Sequence, residues 1–289
     1  MLTHALPLKH YVVMNKLTTA KRVAVVGALV EGMSINATCR MTGVSKPTIL
    51  KLLADLGKAC NDYQDAHLIN LTSRRVQCDE IWSFVYSRRK NVPFDKRGEF
   101  GYGDVWTFTA IDADSKLVLS YFVGKRDAQS ATYFMRDVAL RLKNRVQLTT
   151  DGLKAYFEAV DDAFAGDIDF GMIKKVYANE QAADQGKYAP PVCIGCERHV
   201  VTGDPDPGYI STSYIERNNL TLRMQNKRFA RLTNAHSKKL ENHVHALALH
   251  FMFYNFARKN EALNGKTPAM AAGVSDRVWS VAEIVALLG

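Results

Sequence analysis

Acidic residues at three places in this sequence have surroundings that could serve chemistry. Asp79 and Glu80 stand side by side among Val76, Cys78, Ile81, Trp82, Phe84 and Val85, whose β-branched and aromatic types read as a strand over 74–85. Alternation along a strand predicts the two acids on opposite faces, so that only one points into a given site. Asp151 closes the short apolar run 146–150 and precedes a helical pattern over 153–160. That is where open α/β sheets place their sites, and equally where an Asp caps a helix. Glu216 heads a basic segment: from it to Lys239 there are seven Lys or Arg (Arg217, Arg223, Lys227, Arg228, Arg231, Lys238 and Lys239) and no other acid. On a helix turning about 100° per residue, Glu216, Arg223 and Lys227 fall within roughly 40° of one another, and Ile215, Leu222 and Phe229 form a separate apolar line. One side suits a core and the other a polyanion; the plainer alternative is a solvated basic helix with ordinary ion pairs.

Positioning such groups needs a sheet with helices, and the pattern supplies one. Strands are expected over 74–85, 105–112 and 117–123, with hairpin chemistry at Asp112-Ala113-Asp114-Ser115 and a basic loop over 87–103. An amphipathic helix over 128–143 follows, then a strand over 146–150, a helix from 153 and a fifth strand over 168–177. Residues 178–208, rich in Gly, Pro and charge, read as an insertion loop. They contain Cys193, Cys196 and His199, three ligand types that could suit zinc, but no second ligand pair stands at the usual distance, and zinc is not expected there. A long helix over 237–259 and a tail, 261–289, with a short apolar helix complete the chain. The other acids, among them Asp104, Asp112, Asp114 and Asp127, read as turn or surface residues.

The N-terminal region is helical and punctuated twice. Helices are expected over 20–30, over 35–41 with Ser34 as cap, and over 47–56 after Gly43, with Ser45 as cap and Pro47 in the first turn. Helix, short helix, glycine turn and capped helix is the helix-turn-helix arrangement, which nominates Lys46, Thr48 and Lys51 for the DNA major groove. A small bundle contacting protein is the alternative. Domains are thus expected at 1–60, with a linker over 61–73 and an α/β domain over 74–260.

With 289 residues, 47% of them hydrophobic, and a net charge of +9, the chain can bury a full core and suits a polyanionic partner. Residues 1–13 lack a signal-peptide pattern and the apolar run 23–30 is too short to span a bilayer, so a cytoplasmic, nucleoid-associated protein is expected, with no membrane partner. Five scattered cysteines suit a reducing compartment.

Asp79-Glu80-Ile81-Trp82-Ser83-Phe84-Val85, Thr150-Asp151-Gly152 and, most specifically, Ile215-Glu216-Arg217-Asn218-Asn219-Leu220-Thr221-Leu222-Arg223 resemble the transposases of the insertion sequence one family, within the DDE superfamily. The resemblance spans about 74–259. It implies an RNase H-like α/β fold, a mixed five-stranded sheet with flanking helices, preceded by the all-α helix-turn-helix domain. It further implies that Asp79, Asp151 and Glu216 are the catalytic triad and hold two Mg²⁺ or Mn²⁺ ions for phosphoryl transfer on double-stranded DNA, the element ends and a target. Arg217, Arg223, Lys227, Arg228 and Arg231 would then contact the DNA, and holding two ends together implies at least a homodimer. The cysteine zinc ribbon usual ahead of the helix-turn-helix in that family is absent from this sequence. A catalytically silent DNA-binding regulator of the same descent, and a nuclease that cuts without joining, are the competing functions.

Overall fold

In the computed structural model, which describes residues 17–177, 193–230 and 233–289, the chain opens on three helices set by their caps. Thr18 accepts from the Lys21 amide to start α1 (Thr19–Val30), and Ser34 accepts from the Ala37 amide to start α2 (Ile35–Thr42). Gly43 ends α2 at φ 68°, in the left-handed region that a side chain resists. The third helix, α3 (Lys46–His67), has Pro47 in its first turn as expected but continues through 61–67, positions read as linker. Its far half is held by α7 (Leu240–Met252): Cys60 and Gln64 are buried, and the Gln64 side chain donates to the Ala248 carbonyl at 3.2 Å. At Gly57 the two helices approach so closely that a Cβ would lie 2.5 Å from the Cβ of His245.

The meander β1 (Arg75–Val85), β2 (Gly103–Asp112) and β3 (Val118–Gly124) forms where alternation placed it. Then come α4 (Ala128–Arg141), β4 (Gln147–Asp151), α5 (Ala155–Phe164) and β5 (Asp169–Tyr177). The sheet has six strands, not five, in the order β3-β2-β1-β4-β5-β6. The sixth, β6 (Cys193–Thr202), falls inside the stretch read as an insertion loop and pairs antiparallel with β5. It escaped notice because an edge strand needs no apolar face: all of it but Val201 and Thr202 is exposed. Strands β1, β4 and β5 run parallel, and the remaining pairings are antiparallel.

Helices α4 and α5 cover one face, packing Phe134, Val138, Tyr156 and Val160 into the same core as Cys78, Phe108 and Leu148. The other face carries α6 (Ser213–Gln225) and α7. There Ile215, Leu222 and Phe229, the apolar line expected on the basic segment, join Ile81, Leu247 and Phe251 in a second core. The single helix expected over 237–259 starts at Leu240 and gives way to a π-helical turn, Phe253–Ala257. Asn255 of that turn bonds both backbone groups of Val118, at 3.0 and 2.8 Å, tying the helix end to β3. Two short helices, α8 (Pro268–Ala271) and α9 (Val281–Ala286), end the chain, the latter behind a Ser280–Glu283 capping box. No described helix is long and apolar enough to cross a membrane.

Candidate active site at the fork between two parallel strands

Strand β1 pairs with β4 only from Arg75↔Gln147 to Gln77↔Thr149, after which the strands part. Two residues further along each strand come Asp79 and Asp151, one on each side of the opening. Alternation holds as expected: the Asp79 side chain meets Asn219 of α6, and that of Glu80, on the other face, meets Tyr156 of α5. The inference that only one of them can join a site does not hold. Between Gln77 and Val85, which bridges to Ser237, no strand pairs with the β4-side edge of β1, and one oxygen of each acid comes to it. One carboxylate oxygen each from Asp79, Glu80 and Asp151 lies within 4.8 Å of the others.

Each acid is held in place and feels its neighbours. Asp79 accepts from the Asn219 side-chain amide and from the Glu80 backbone N–H, both at 2.8 Å. Burial, reinforced by the charges of Glu80, Asp151 and Glu216, pushes the Asp79 pKa up to about 7. Glu80 accepts from Arg126 through two nitrogens, at 2.7 and 2.5 Å, and from the Tyr156 hydroxyl at 3.2 Å. Burial and the Asp151 charge outweigh these bonds, and the Glu80 pKa also rises to about 7. Burial raises that of Asp151 too, against the Leu153 amide bonded to its Oδ1 at 3.1 Å and the nearby Arg126 charge. Asp151 therefore holds the turn that follows it and faces the fork at once, but it does not cap the helix, whose N-cap is Lys154. Arg126 spans two of the acids, 3.8 Å from Asp151, with its guanidinium 4.8 Å above the Trp106 ring.

Glu216 stands beside this group but outside it. Gln77 of β1 accepts from the backbone N–H groups of Tyr214 and Ile215 at 2.9 and 3.2 Å, satisfying two open donors of α6 and fixing its start against the sheet. Glu216, in that first turn, is paired with Lys175 of β5 at 2.5 Å and accepts from the Thr212 hydroxyl. Its charge is felt at Asp79 and Asp151. Of the expected triad, then, the fold gathers Asp79 and Asp151 with Glu80, and leaves Glu216 adjacent in an ion pair.

The expected DNA contacts separate in the same way. Lys46, Thr48 and Lys51 are exposed at the start of α3, where Lys51 pairs with Asp55 at 2.9 Å. Arg217 and Lys227 are exposed and Arg223 is half-buried. Helix α6 stops at Gln225, because Asn226 is extended and its side chain accepts from the Arg228 amide. Lys227 therefore sits in a 3₁₀ turn (Lys227–Phe229) and leaves the helical face of Glu216 and Arg223. Arg228 turns inward rather than toward solvent: it donates to the Ser237 hydroxyl at 2.6 Å, and burial pulls its pKa down to about 10. Arg231 lies outside the described residues. Cys193, Cys196 and His199 are exposed along β6, with His199 3.5 Å from Glu197.

Several residues that build the site carried little or no sequence signal. Asn219 was detectable in principle, three positions after Glu216 on one helical face. Gln77 and Glu80 flank Asp79 in the same strand. Arg126, Tyr156 and Lys175 come from distant elements, and nothing local marks them. The donor set suits a divalent cation of the hard kind: carboxylate oxygens, converging, with pKa values raised first by burial and then by one another's charge.

The chain is similar to the piggyBac transposase in its synaptic complex with hairpin DNA, at 9% identity and a TM-score of 0.42, covering 93% of this chain and 69% of that one. It is similar to the Mos1 transposase of a paired-end complex with left transposon end, at 13% identity and a TM-score of 0.24, over 59% of this chain and 61% of that one. Similarity to the Mos1 strand transfer complex is 13% in identity, with a TM-score of 0.25, over 87% and 78% of the two chains. This chain thus spans less than two thirds of the Mos1 chain in the paired-end complex. No family model matches the sequence, and no curated protein matches it.

Proposed function

We propose that the chain is a DDE-type DNA transposase that cleaves the ends of an insertion sequence and joins them to target DNA. The observation that carries this reading is the convergence of Asp79 and Asp151, from two parallel strands, on one fork within 4.8 Å of each other and of Glu80. The motif resemblance to the insertion sequence one family, which designates those same two aspartates and Glu216, supports it. Asp79, Asp151 and Glu216 would hold Mg²⁺ or Mn²⁺, with Glu80 beside them. When bound, such ions supply charge stabilisation at the scissile phosphate and activation of the attacking oxygen. The chain's own part is to aim the ligands: Asn219 and the Glu80 amide fix both oxygens of Asp79, and the Leu153 amide fixes Asp151. Lys46, Thr48 and Lys51 at the start of α3 are assigned to the DNA major groove, and Arg217, Arg223 and Lys227 to phosphates. Arg228 is left out of that set because it points inward. In this reading residues 1–60 serve recognition, 74–260 serve catalysis, and the working form is at least a dimer.

One observation favours a second reading. Glu216 is tied to Lys175 at 2.5 Å and stands apart from the other acids, as it would in a regulator that binds element ends without cutting them. The deciding experiment uses DNA from the flanks of the gene, where an insertion sequence keeps its own ends. Wild-type protein with Mg²⁺ or Mn²⁺ is expected to nick at a defined end and join it to a second duplex, and Asp151→Ala to do neither while still binding. Binding to those ends without any metal-dependent cutting supports the regulator. Cutting without joining supports a nuclease, and cutting that persists in Asp151→Ala refutes the assigned site.

A further inference from the structure

The basic segment between β1 and β2 takes no part in the carboxylate fork. It is folded through two 3₁₀ turns, Arg89–Asn91 and Phe94–Lys96, and anchored by the buried Val92. Between it and the start of β2 lies an open cleft of about 950 Å³. That is near the upper end of the roughly 300–1,000 Å³ typical of sites for small organic ligands.

The lining has two chemistries. Arg89, Lys90, Arg97 and Lys125 give it positive charge, with Arg97 donating to the Val92 carbonyl at 3.2 Å and the Lys125 charge felt at Asp127, and Glu99 and Asp104 also border the cleft. Phe100, Tyr102 and Trp106 give it ring faces. Phe100 is 40% exposed, and Tyr102 meets the Tyr86 ring edge-on at 5.1 Å. Arg126 belongs to both places: it lines this cleft over Trp106 and reaches Glu80 and Asp151 at the fork. The cleft therefore opens directly beside the acids.

We propose that this cleft holds an unpaired nucleotide of the DNA strand that lies across the β1–β4 fork, an assignment that rests on the function proposed above. Rings set inside a concavity stack only on a base that has left its duplex, whereas phosphate contacts alone need no rings. The lysines and arginines at the rim suit the phosphates on either side of that base. A smooth duplex surface would leave the exposed Phe100 ring without a task.

The test uses the full chain with a chelator present, so that binding is read apart from cleavage. The probes are a duplex carrying 2-aminopurine in a short single-stranded overhang and the blunt duplex of the same sequence. Wild-type protein is expected to quench the 2-aminopurine and to bind the overhang more tightly. In Phe100→Ala/Tyr102→Ala the quenching disappears and overhang affinity falls about tenfold, on the scale of losing base stacking, with blunt-duplex affinity little changed. Lys90→Glu, at an exposed position that folding does not depend on, is expected to weaken the overhang more than the blunt duplex, and it keeps the test decisive if the aromatic variant does not fold. Equal losses for both probes, or quenching unchanged in the variants, would overturn the assignment. Quenching by a wild-type protein that never cleaves with metal would instead refute phosphoryl transfer and leave the cleft as a nucleotide site.

Discussion

The fork between β1 and β4 and the first turn of α6 hold the same kind of group, a carboxylate, in opposite conditions. At the fork Glu80 is buried and Asp79 half-buried, each close to another acid, and both are driven up to a pKa of about 7. On α6 Glu216 is half-exposed and already answered by Lys175. The difference lies in the partners: at the fork burial and neighbouring acids oppose ionisation of the carboxylates, whereas on the helix the carboxylate has a cationic partner. A site using all three acids has to exchange the Lys175 pair for a cation shared with the fork.

The largest expected effect lies at the fork. Asp79→Ala and Asp151→Ala should each lower metal-dependent strand cleavage by roughly a thousandfold or more, the scale for losing one member of a group that acts as a unit. DNA binding measured by mobility shift should persist. Glu216→Ala giving the same loss would place α6 in the working site, and normal activity in that variant would confine catalysis to the fork.

Acidity sharpens the contrast next. The folded-state pKa of Asp79, near 7, lies above the ordinary value of 3.8, so the folded protein holds a proton that the unfolded chain releases. The stability this contributes is fully present below about pH 4 and is lost as pH rises through 7. The buried His243 and His250, with pKa values pulled down to about 3 by burial, act in the opposite sense between about pH 3 and 6.5. The difference between wild type and Asp79→Asn isolates the carboxylate. In thermal unfolding with a chelator, the wild type should lose stability relative to Asp79→Asn from pH 4 to 7, by an amount on the order of a few kcal/mol. Parallel curves would mean that Asp79 is not charge-strained.

Glu80 tests whether the fork is braced. Glu80→Ala removes the acceptor shared by Arg126 and Tyr156 and should lower stability by about 1–3 kcal/mol, the range for a hydrogen bond to a charged group. The smallest effect belongs to α6. The Lys175 and Glu216 side chains are 29% and 40% exposed, so Lys175→Met should change stability by no more than about 1 kcal/mol. It should tighten Mn²⁺ binding in a calorimetric titration if Glu216 is a ligand in waiting, and leave it unchanged if Glu216 serves only its ion pair.

The same contrast governs what was legible in the sequence. Period-2 and period-3.6 patterns located β1 to β5, α4, α5 and the apolar line Ile215, Leu222 and Phe229, because those elements bury one face and composition records it. Local caps at Ser34 and Gly43 fixed the N-terminal helices. The strand β6 stayed hidden because an exposed edge leaves no apolar record, and the length of α3 because only its contact with α7 reveals why it continues. Asp79 and Asp151 were readable as strand-borne acids, but the entry of Glu80 depends on where β1 and β4 separate, a property of pairing between residues about seventy positions apart. Arg126, Tyr156 and Lys175 meet the acids only through tertiary structure.

The most direct measurement is the anomalous diffraction of crystals soaked with Mn²⁺. Peaks between Asp79 and Asp151 in the wild type, absent from Asp151→Ala, with Lys175 moved off Glu216, are the expected result. No peak at the fork under Mn²⁺, or a peak only at Cys193, Cys196 and His199 on β6, would contradict a phosphoryl-transfer site built on these acids.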